Sequence, residues 1–219
     1  MNSLPKRIPD RFLINVYLDT MNLIYLTDSK VKPFMTGISY LSKCPFVLLH
    51  SSQYSLIEFI KLRREEYYME MVYKTGKYSL NSLFSYKNKF TCKDKKVNYE
   101  SIKSKIKERI YDDIQDLTLK HNIINDSYKL SQDLYEIVKN IMVASKISKE
   151  DSYILSSSFL PTSDKITSTD YVLTNDSSLL DQFKTNSSDI EKAIKAFVDP
   201  SFRFPQMESQ KNLKLKDSK

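Results

Sequence analysis

Residues 12 to 20 read "FLINVYLDT", a β-branched and aromatic run that is almost continuously apolar and stops at an acid. A strand with one wet face alternates, whereas an unbroken run predicts burial on both faces, as in a parallel sheet covered by helices. Asp19 then closes the strand. A carboxylate ending so apolar a run is partly desolvated and needs a partner. Two later stretches have the same character: "CPFVLLHSS" predicts a second buried strand after Pro45, and "TDYVLTND" a third that gives way at Asp176.

Helical patterns lie between them. "GISYLSK" reads as a helical piece. "SQYSLIEFIKLRREEYYMEMVYKTG" repeats Leu56, Ile57, Ile60 and Met71 at helical spacing, with Ser51 or Ser52 as N-cap and Gly76 as stop. "NYESIKSKIKERIYDDIQDLTLKH" lines up Ile102, Ile106, Ile110, Ile114 and Leu117 on one face. "NIIND" predicts a short strand, and "SYKLSQDLYEIVKNIMVAS" a helix. "SKEDSYILSSSFL" begins another, closed by Pro161. "SSLLDQF" predicts a short helix, "AIKAFVDP" a last strand, and the polar segment after Pro205 a fraying tail. The alternation predicts an α/β fold with a central, mostly parallel sheet and helices on both faces. There is no internal repeat and no Gly- or Pro-rich linker. The expectation is therefore one domain over residues 1–205, followed by a tail over 206–219.

Composition narrows the function. At 219 residues the chain can bury a substantial core. No apolar run approaches the roughly 18 residues of a membrane span, and "MNSLPKRIPDRF" lacks the apolar centre of a signal peptide. Cys44 and Cys92 stand in no CxxC and beside no histidine, which predicts neither zinc nor a disulfide framework but a reduced, cytoplasmic chain. With two glycines, neither a P-loop nor a dinucleotide motif occurs. The net charge of +7 is uneven. Between Val72 and Ile110 eleven Lys and Arg face three acids, so this block carries +8 and the remainder −1. Such asymmetry points to nucleic acid or another acidic surface, the alternative being a solvated lysine-rich face. Here Lys74, Lys77, Lys87, Lys89, Lys93, Lys95 and Lys96 interleave with Tyr73, Tyr78, Phe84, Tyr86 and Phe90. Cations for phosphates among rings for bases are the composition of a single-strand binder. The same rings could instead bury a small helical cap.

Four acids sit near strand-to-helix junctions: Asp19, Glu58, Asp151 and Asp176. Ligands of a parallel sheet gather outside the carboxyl ends of its strands, so Asp19 and Asp176 are expected on one edge. Such a cluster repels itself unless a divalent cation neutralises it, and carboxylate oxygens suit Mg²⁺ or Mn²⁺ over zinc. Metal held this way activates water for in-line displacement at phosphorus. Each acid also has a structural reading. Asp151 stands three after Ser148, as in a capping box. Asp176 can cap the next helix, and Glu58 can pair with Lys61 or Arg63 on a solvent face. His50 and His121 are too far apart to suggest a motif and read as structural. "SSS" at 156–158 lacks the surroundings of a nucleophile elbow and reads as a small-residue helix face.

Taken together, the segments resemble the PIN domain, a metal-dependent nuclease fold. "YLDTMNLIYL" is similar to its first motif, with Asp19, Thr20 and Asn22. "SSQYSLIEFI" is similar to its second, with Glu58, and "KISKEDSYILSSS" to its third, with Asp151. "YVLTND" is similar to its fourth, with Thr174, Asn175 and Asp176, and "FVDPSF" to its closing strand. The resemblance covers about residues 12–75 and 125–205, and it makes the basic block a helical insertion over about 74–124. It implies a Mg²⁺- or Mn²⁺-dependent endonuclease acting on RNA ahead of DNA. Asp19, Glu58, Asp151 and Asp176 would hold metal, Thr174 would orient a ligand or water, and Asn22 would support the site. Asp19, Asp151 and Asp176 are expected to share one cation, with Glu58 at the rim. Hydroxide on the metal would attack the phosphodiester and leave a 5′-phosphate. Two rivals accompany this reading. One is a PIN-like RNA-binding module whose acids survive as caps. The other is an interaction protein. A toxin of a toxin–antitoxin pair is one version of the nuclease reading, and a homodimer or an antitoxin-like protein partner is open.

Overall fold

The computed structural model describes residues 13–28, 32–76, 78–79, 99–126, 132–159, 169–198 and 202–209. Strands β1 (Ile14–Leu18), β2 (Val47–Ser52), β3 (Ile124–Asp126), β4 (Tyr171–Thr174) and β5 (Gln206–Ser209) form one sheet. Their order is β3-β2-β1-β4-β5, and every neighbouring pair is parallel. The chain therefore leaves β1 in one direction to build β2 and β3, then crosses back to build β4 and β5. The reversal falls between β1 and β4, where a doubly wound sheet opens a crevice at its carboxyl edge.

The helices are α1 (Thr20–Thr27), α2 (Lys32–Leu41), α3 (Gln53–Lys74), α4 (Lys103–Leu119), α5 (Gln132–Ala144), α6 (Lys149–Phe159) and α7 (Ser177–Ile194). Side chains alternate across the sheet. Val16, Leu18, Leu49 and Leu173 point to one face, where Leu23 and Leu26 of α1, Ile38 of α2, Phe59 of α3 and Leu117 of α4 cover them. Tyr17, Val172 and Met207 point to the other, against Ile137 and Ile141 of α5, Leu155 and Phe159 of α6, and four apolar residues of α7. This two-sided burial is why Val16, Tyr17 and Leu18 run apolar without alternation, while Asn15 and the exposed Ile14 lie before the covered part of β1.

Local signals set several boundaries. Ser52 Oγ accepts from Ser55 N at 2.9 Å and starts α3. Gly76 follows its end at φ +69°, a conformation that costs a side-chain-bearing residue strain. The buried serines of α6 satisfy themselves: Ser152, Ser156 and Ser157 donate to carbonyls four residues back, and Ser158 three back. A hydroxyl-bearing face can therefore pack as a small apolar one.

Two boundary expectations are corrected. The short helix at "SSLLDQF" is an 18-residue α7 that runs into the segment expected as the last strand. Its buried Leu179, Phe183, Ile190 and Ile194 recur at helical spacing, and that period outweighs the strand-like "AFV". The closing strand is instead β5, inside the segment expected to fray. Gln206 N donates to Asp170 O at 3.0 Å, and Met207, 2% exposed, gives this short edge strand its one deeply buried side chain.

The expected insertion over 74–124 is integrated where it is described; residues 77 and 80–98 lie outside the described residues. Leu117 and Ile123 join the main core, and β3 extends the sheet. Helix α4 also packs Ile106 and Ile110 against Tyr67, Tyr68 and Val72 of α3. Arg63, only 2% exposed, ties three helices together. Its guanidinium donates to Glu66 Oε2 (2.6 Å), Ile24 O (2.9 Å) and Thr27 Oγ1 (2.5 Å), with Asp113 Oδ2 of α4 at 3.4 Å. Tyr67 donates to the same Asp113 oxygen at 2.5 Å, beneath the Arg109 guanidinium 3.7 Å from its ring centre.

Candidate active site

The parallel pairing brings the ends of β1 and β4 side by side, with Leu18 in register with Leu173. Asp19 and Asp176 thus emerge on the same edge. Asp19 is 6% exposed and held by both oxygens: Oδ1 accepts from Thr20 N (2.5 Å) and Oδ2 from the Thr174 hydroxyl (2.8 Å). Thr174 in turn accepts from Asp176 N at 3.0 Å, so a single hydroxyl couples the two strand ends. Asn22, fully buried, donates to Leu173 O at 2.6 Å and accepts from Asn175 Nδ2 at 3.2 Å. It clamps α1 to β4.

The other two acids arrive on helices. Glu58, half-buried in the second turn of α3, accepts from the Thr20 hydroxyl at 2.6 Å. It does not pair with Lys61 or Arg63, since Arg63 is buried in the network described above. Asp151 lies in the first turn of α6, where its N–H donates to Ser148 Oγ (3.1 Å) and its carboxylate accepts the Ser148 proton (2.7 Å). Asp176 is exposed and caps α7, with Oδ1 accepting from Ser178 N (2.7 Å) and Leu179 N (3.1 Å). The cap foreseen at Asp176 is present. At Asp151 only half of the capping box forms, since Ser148 Oγ accepts from Asp151 N while the carboxylate takes the serine hydroxyl and, among the described residues, no backbone N–H.

Asp19 and Asp151 feel the charges of the acids around them. Burial pushes the Asp19 carboxyl up from 3.8 to about 6; the bonds from Thr174 and Thr20 oppose the rise, and the charges of Asp151 and Glu58 add to it. Burial also raises Asp151, and repulsion from Asp176, Glu58 and Glu150 adds to that rise. Among the described residues no Lys, Arg or His forms a salt bridge with any of the four. As placed, however, no three Asp, Glu, His or Cys side chains among the described residues gather tightly enough to hold a cation. The expected sharing of one cation by Asp19, Asp151 and Asp176 is not formed as the side chains stand, and Glu58 lies beside Asp19 with its carboxylate on the Thr20 hydroxyl.

The nucleic-acid candidates divide. Lys74 is exposed and pairs with Glu70 at 2.6 Å; Lys77, Lys87, Lys89, Lys93, Lys95 and Lys96 lie outside the described residues. Both histidines are structural in setting, with His50 buried 3.3 Å from Asn15 Oδ1 and His121 shifted down by burial. Sequence reasoning overlooked the flank of the acidic edge, where Tyr54 of α3 stacks on Tyr153 of α6 with ring centres 4.4 Å apart. The available signal was the spacing Tyr54, Glu58, Lys61 along one helix face. A scan against protein-family models finds no match to this chain, and a comparison with curated proteins finds no significant one.

Proposed function

We propose that this chain is a PIN-like endonuclease that depends on Mg²⁺ or Mn²⁺ and hydrolyses phosphodiester bonds, with RNA as its substrate ahead of DNA. The observation that carries the reading is the placement of Asp19 and Asp176 at neighbouring strand ends on the carboxyl edge, with the charges of Glu58 and Asp151 bearing on the buried Asp19 and no cationic side chain pairing any of the four among the described residues. A carboxylate as buried as Asp19 is destabilised when ionised, and a divalent cation relieves that. The donor set, all hard oxygen, fits Mg²⁺ or Mn²⁺.

Asp19, Glu58, Asp151 and Asp176 would hold the metal, which when bound supplies an activated water and neutralises charge on the phosphate. The protein's own contribution is positioning. Thr174 fixes the rotamer of Asp19 from β4, and Asn22 keeps α1 against that strand. Thr20 keeps Glu58 turned toward β1. Holding a cation would require Glu58 and Asp151 to exchange their hydroxyl partners, Thr20 and Ser148, for it. The basic segment beyond α3 supplies charge to draw in a polyanion. No helix among the described residues is long and apolar enough to cross a membrane.

A second reading is favoured by a specific observation: Asp19 and Asp176 each already cap a helix N-terminus, and Asp151 braces Ser148, whose hydroxyl accepts from the N–H of Asp151 in the first turn of α6. On that reading the chain is an RNA-binding module without catalysis. One experiment separates the two. Purified wild type and Asp19→Asn are incubated with single-stranded RNA and Mg²⁺ or Mn²⁺, with and without EDTA. A nuclease cuts only with metal, and the variant loses activity by at least ~100-fold, since even partners of metal ligands are worth about 10- to 100-fold. Wild type that binds RNA and never cuts it, with either metal, selects the binding module.

A further inference from the structure

Beside the acidic edge, α3 and the first turns of α6 enclose a pocket of about 400 Å³ lined by Tyr54, Ile57, Glu58, Lys61, Lys149 and Tyr153, among others. Its size lies in the range of small-ligand sites. Three features distinguish it from a solvated crevice. First, its ring wall is braced: Tyr54 stacks on Tyr153 at 19° between planes, and Tyr135 meets Tyr153 edge-on with centres 6.3 Å apart. Second, Ile57 is left 64% exposed beside it, an apolar surface with little covering it. Third, both lysines are exposed and neither forms an ion pair among the described residues, although Lys74, Lys103, Lys120, Lys139 and Lys192 each pair with an acid three or four residues away.

Glu58 belongs to this pocket and to the acid cluster, so whatever occupies the one adjoins the other. A stacked ring pair with the exposed Ile57 alongside suits a nucleobase. Ammonium groups at the mouth suit a phosphate, and Lys149 opens α6, whose N-terminal dipole favours the same charge. Glu150 also lines the pocket, and with Glu58 it balances the two lysines. A simple anion site would not be built this way, whereas a ligand carrying both ring and phosphate matches it. Paired bases of a duplex cannot present a face to a ring wall, so the matching ligand is single-stranded.

We propose that this pocket is a nucleotide subsite, seating one base of a single-stranded nucleic acid against Tyr54 with the adjoining phosphate at Lys61 and Lys149. It deepens the nuclease reading and rests on it for the role of the neighbouring acids, but its binding test stands apart from cleavage. Fluorescence anisotropy with a labelled single-stranded RNA, a single-stranded DNA and a duplex is measured in EDTA for full-length wild type, Tyr54→Leu and Lys61→Gln/Lys149→Gln. Tyr54→Leu weakens single-strand binding by ~10-fold, within the usual range for one stacked base. The double lysine variant flattens the salt dependence by about 0.7 in log–log slope for each phosphate no longer neutralised. Duplex affinity is unmoved by either, and in cleavage assays KM rises with kcat kept.

Both variants keeping the wild-type single-strand affinity, or wild type failing to bind single strands at all, overturns the subsite. The lysine pair is solvent-exposed, so its variant reports even where Tyr54→Leu is found unfolded by circular dichroism. Tyr54-dependent binding without any metal-dependent cleavage upholds the subsite and removes the nuclease reading. Cleavage indifferent to all three substitutions does the reverse.

Discussion

Asp19 offers a prediction whose sign changes with metal. Its carboxyl stands at about 6 against an ordinary 3.8, chiefly because burial penalises the charge. A folded-state value raised above the unfolded one means that the folded state binds the proton more tightly. The stabilisation from that proton is complete below pH 3.8 and is lost as pH rises to about 6. Above that window the ionised group penalises the fold by roughly 3 kcal/mol, at about 1.4 kcal/mol for each tenfold difference in proton affinity. Asp19→Asn keeps shape and the acceptor for Thr20 N while removing the charge. In EDTA at about pH 7–8 the variant is therefore the more stable protein, by roughly 1–3 kcal/mol after allowing for weaker bonds to Thr174 and Thr20. The advantage shrinks as pH falls through about 6 and is gone near pH 4. Urea unfolding of both proteins across this range, from about pH 4 to about pH 8, measures it. Added Mg²⁺ or Mn²⁺ then reverses the order, because a ligand that binds only the folded wild type stabilises it by mass action. A stability difference between the two proteins that does not vary with pH refutes the electrostatic argument. A wild type indifferent to either cation refutes the metal site.

Two further outcomes test other parts of the molecule. Asp113→Ala removes the α4 acceptor of Tyr67 and the longer ion pair to Arg63, which keeps Glu66, and should destabilise by about 1–3 kcal/mol in urea unfolding, while Asp113→Asn, which keeps an acceptor for Tyr67, should lose less. Replacing Lys87, Lys89, Lys93, Lys95 and Lys96 by glutamine should weaken RNA binding and flatten its salt dependence, again by about 0.7 in slope for every phosphate left without its cation; unchanged affinity and slope would mean a solvated face.

What the sequence made legible was whatever rests on local period and chain order. The unbroken apolar run of β1 implied its burial on both faces, and the turn chemistry of Ser52 and Gly76 marked both ends of α3. Parallel pairing then placed Asp19 and Asp176 together without any knowledge of contacts, because strands running the same way end on the same edge. Failures came where tertiary packing overrides local pattern. "QMES" has no strand signature, yet β4 offers it an edge to pair with and one buried position for Met207. "AFV" has one, but α7 carries its buried Ile190 and Ile194 up to that point, and Phe197 and Val198 pack on the same core from the turn that follows. Arg63 reads as a surface residue in "KLRREE" and is buried because Asp113, fifty positions later, meets it. Rotamers were beyond reach as well: the sequence places Glu58 near the edge, but only the fold turns it to Thr20.

The acids as caps and the acids as ligands are not competing descriptions of the same oxygens. An ionised carboxylate carries about four lone-pair sites over two oxygens. Asp176 directs Oδ1 alone at Ser178 and Leu179, so capping α7 leaves acceptor capacity on the group as a whole. Capping also holds the side chain in one rotamer, so little freedom remains to be lost when a cation arrives. The helix N-terminus favours the ionised form that a metal requires. Asp19 follows the same logic, since Thr20 N and Thr174 fix its plane through bonds that favour ionisation. What no cap explains is why Asp19 is buried so near Asp151 and Glu58. A cap works as well at the surface, where water screens its neighbours. Here burial and like charges together work against the ionisation that the bonds from Thr20 and Thr174 favour, a conflict within the folded protein that the divalent cation of the proposed site would relieve.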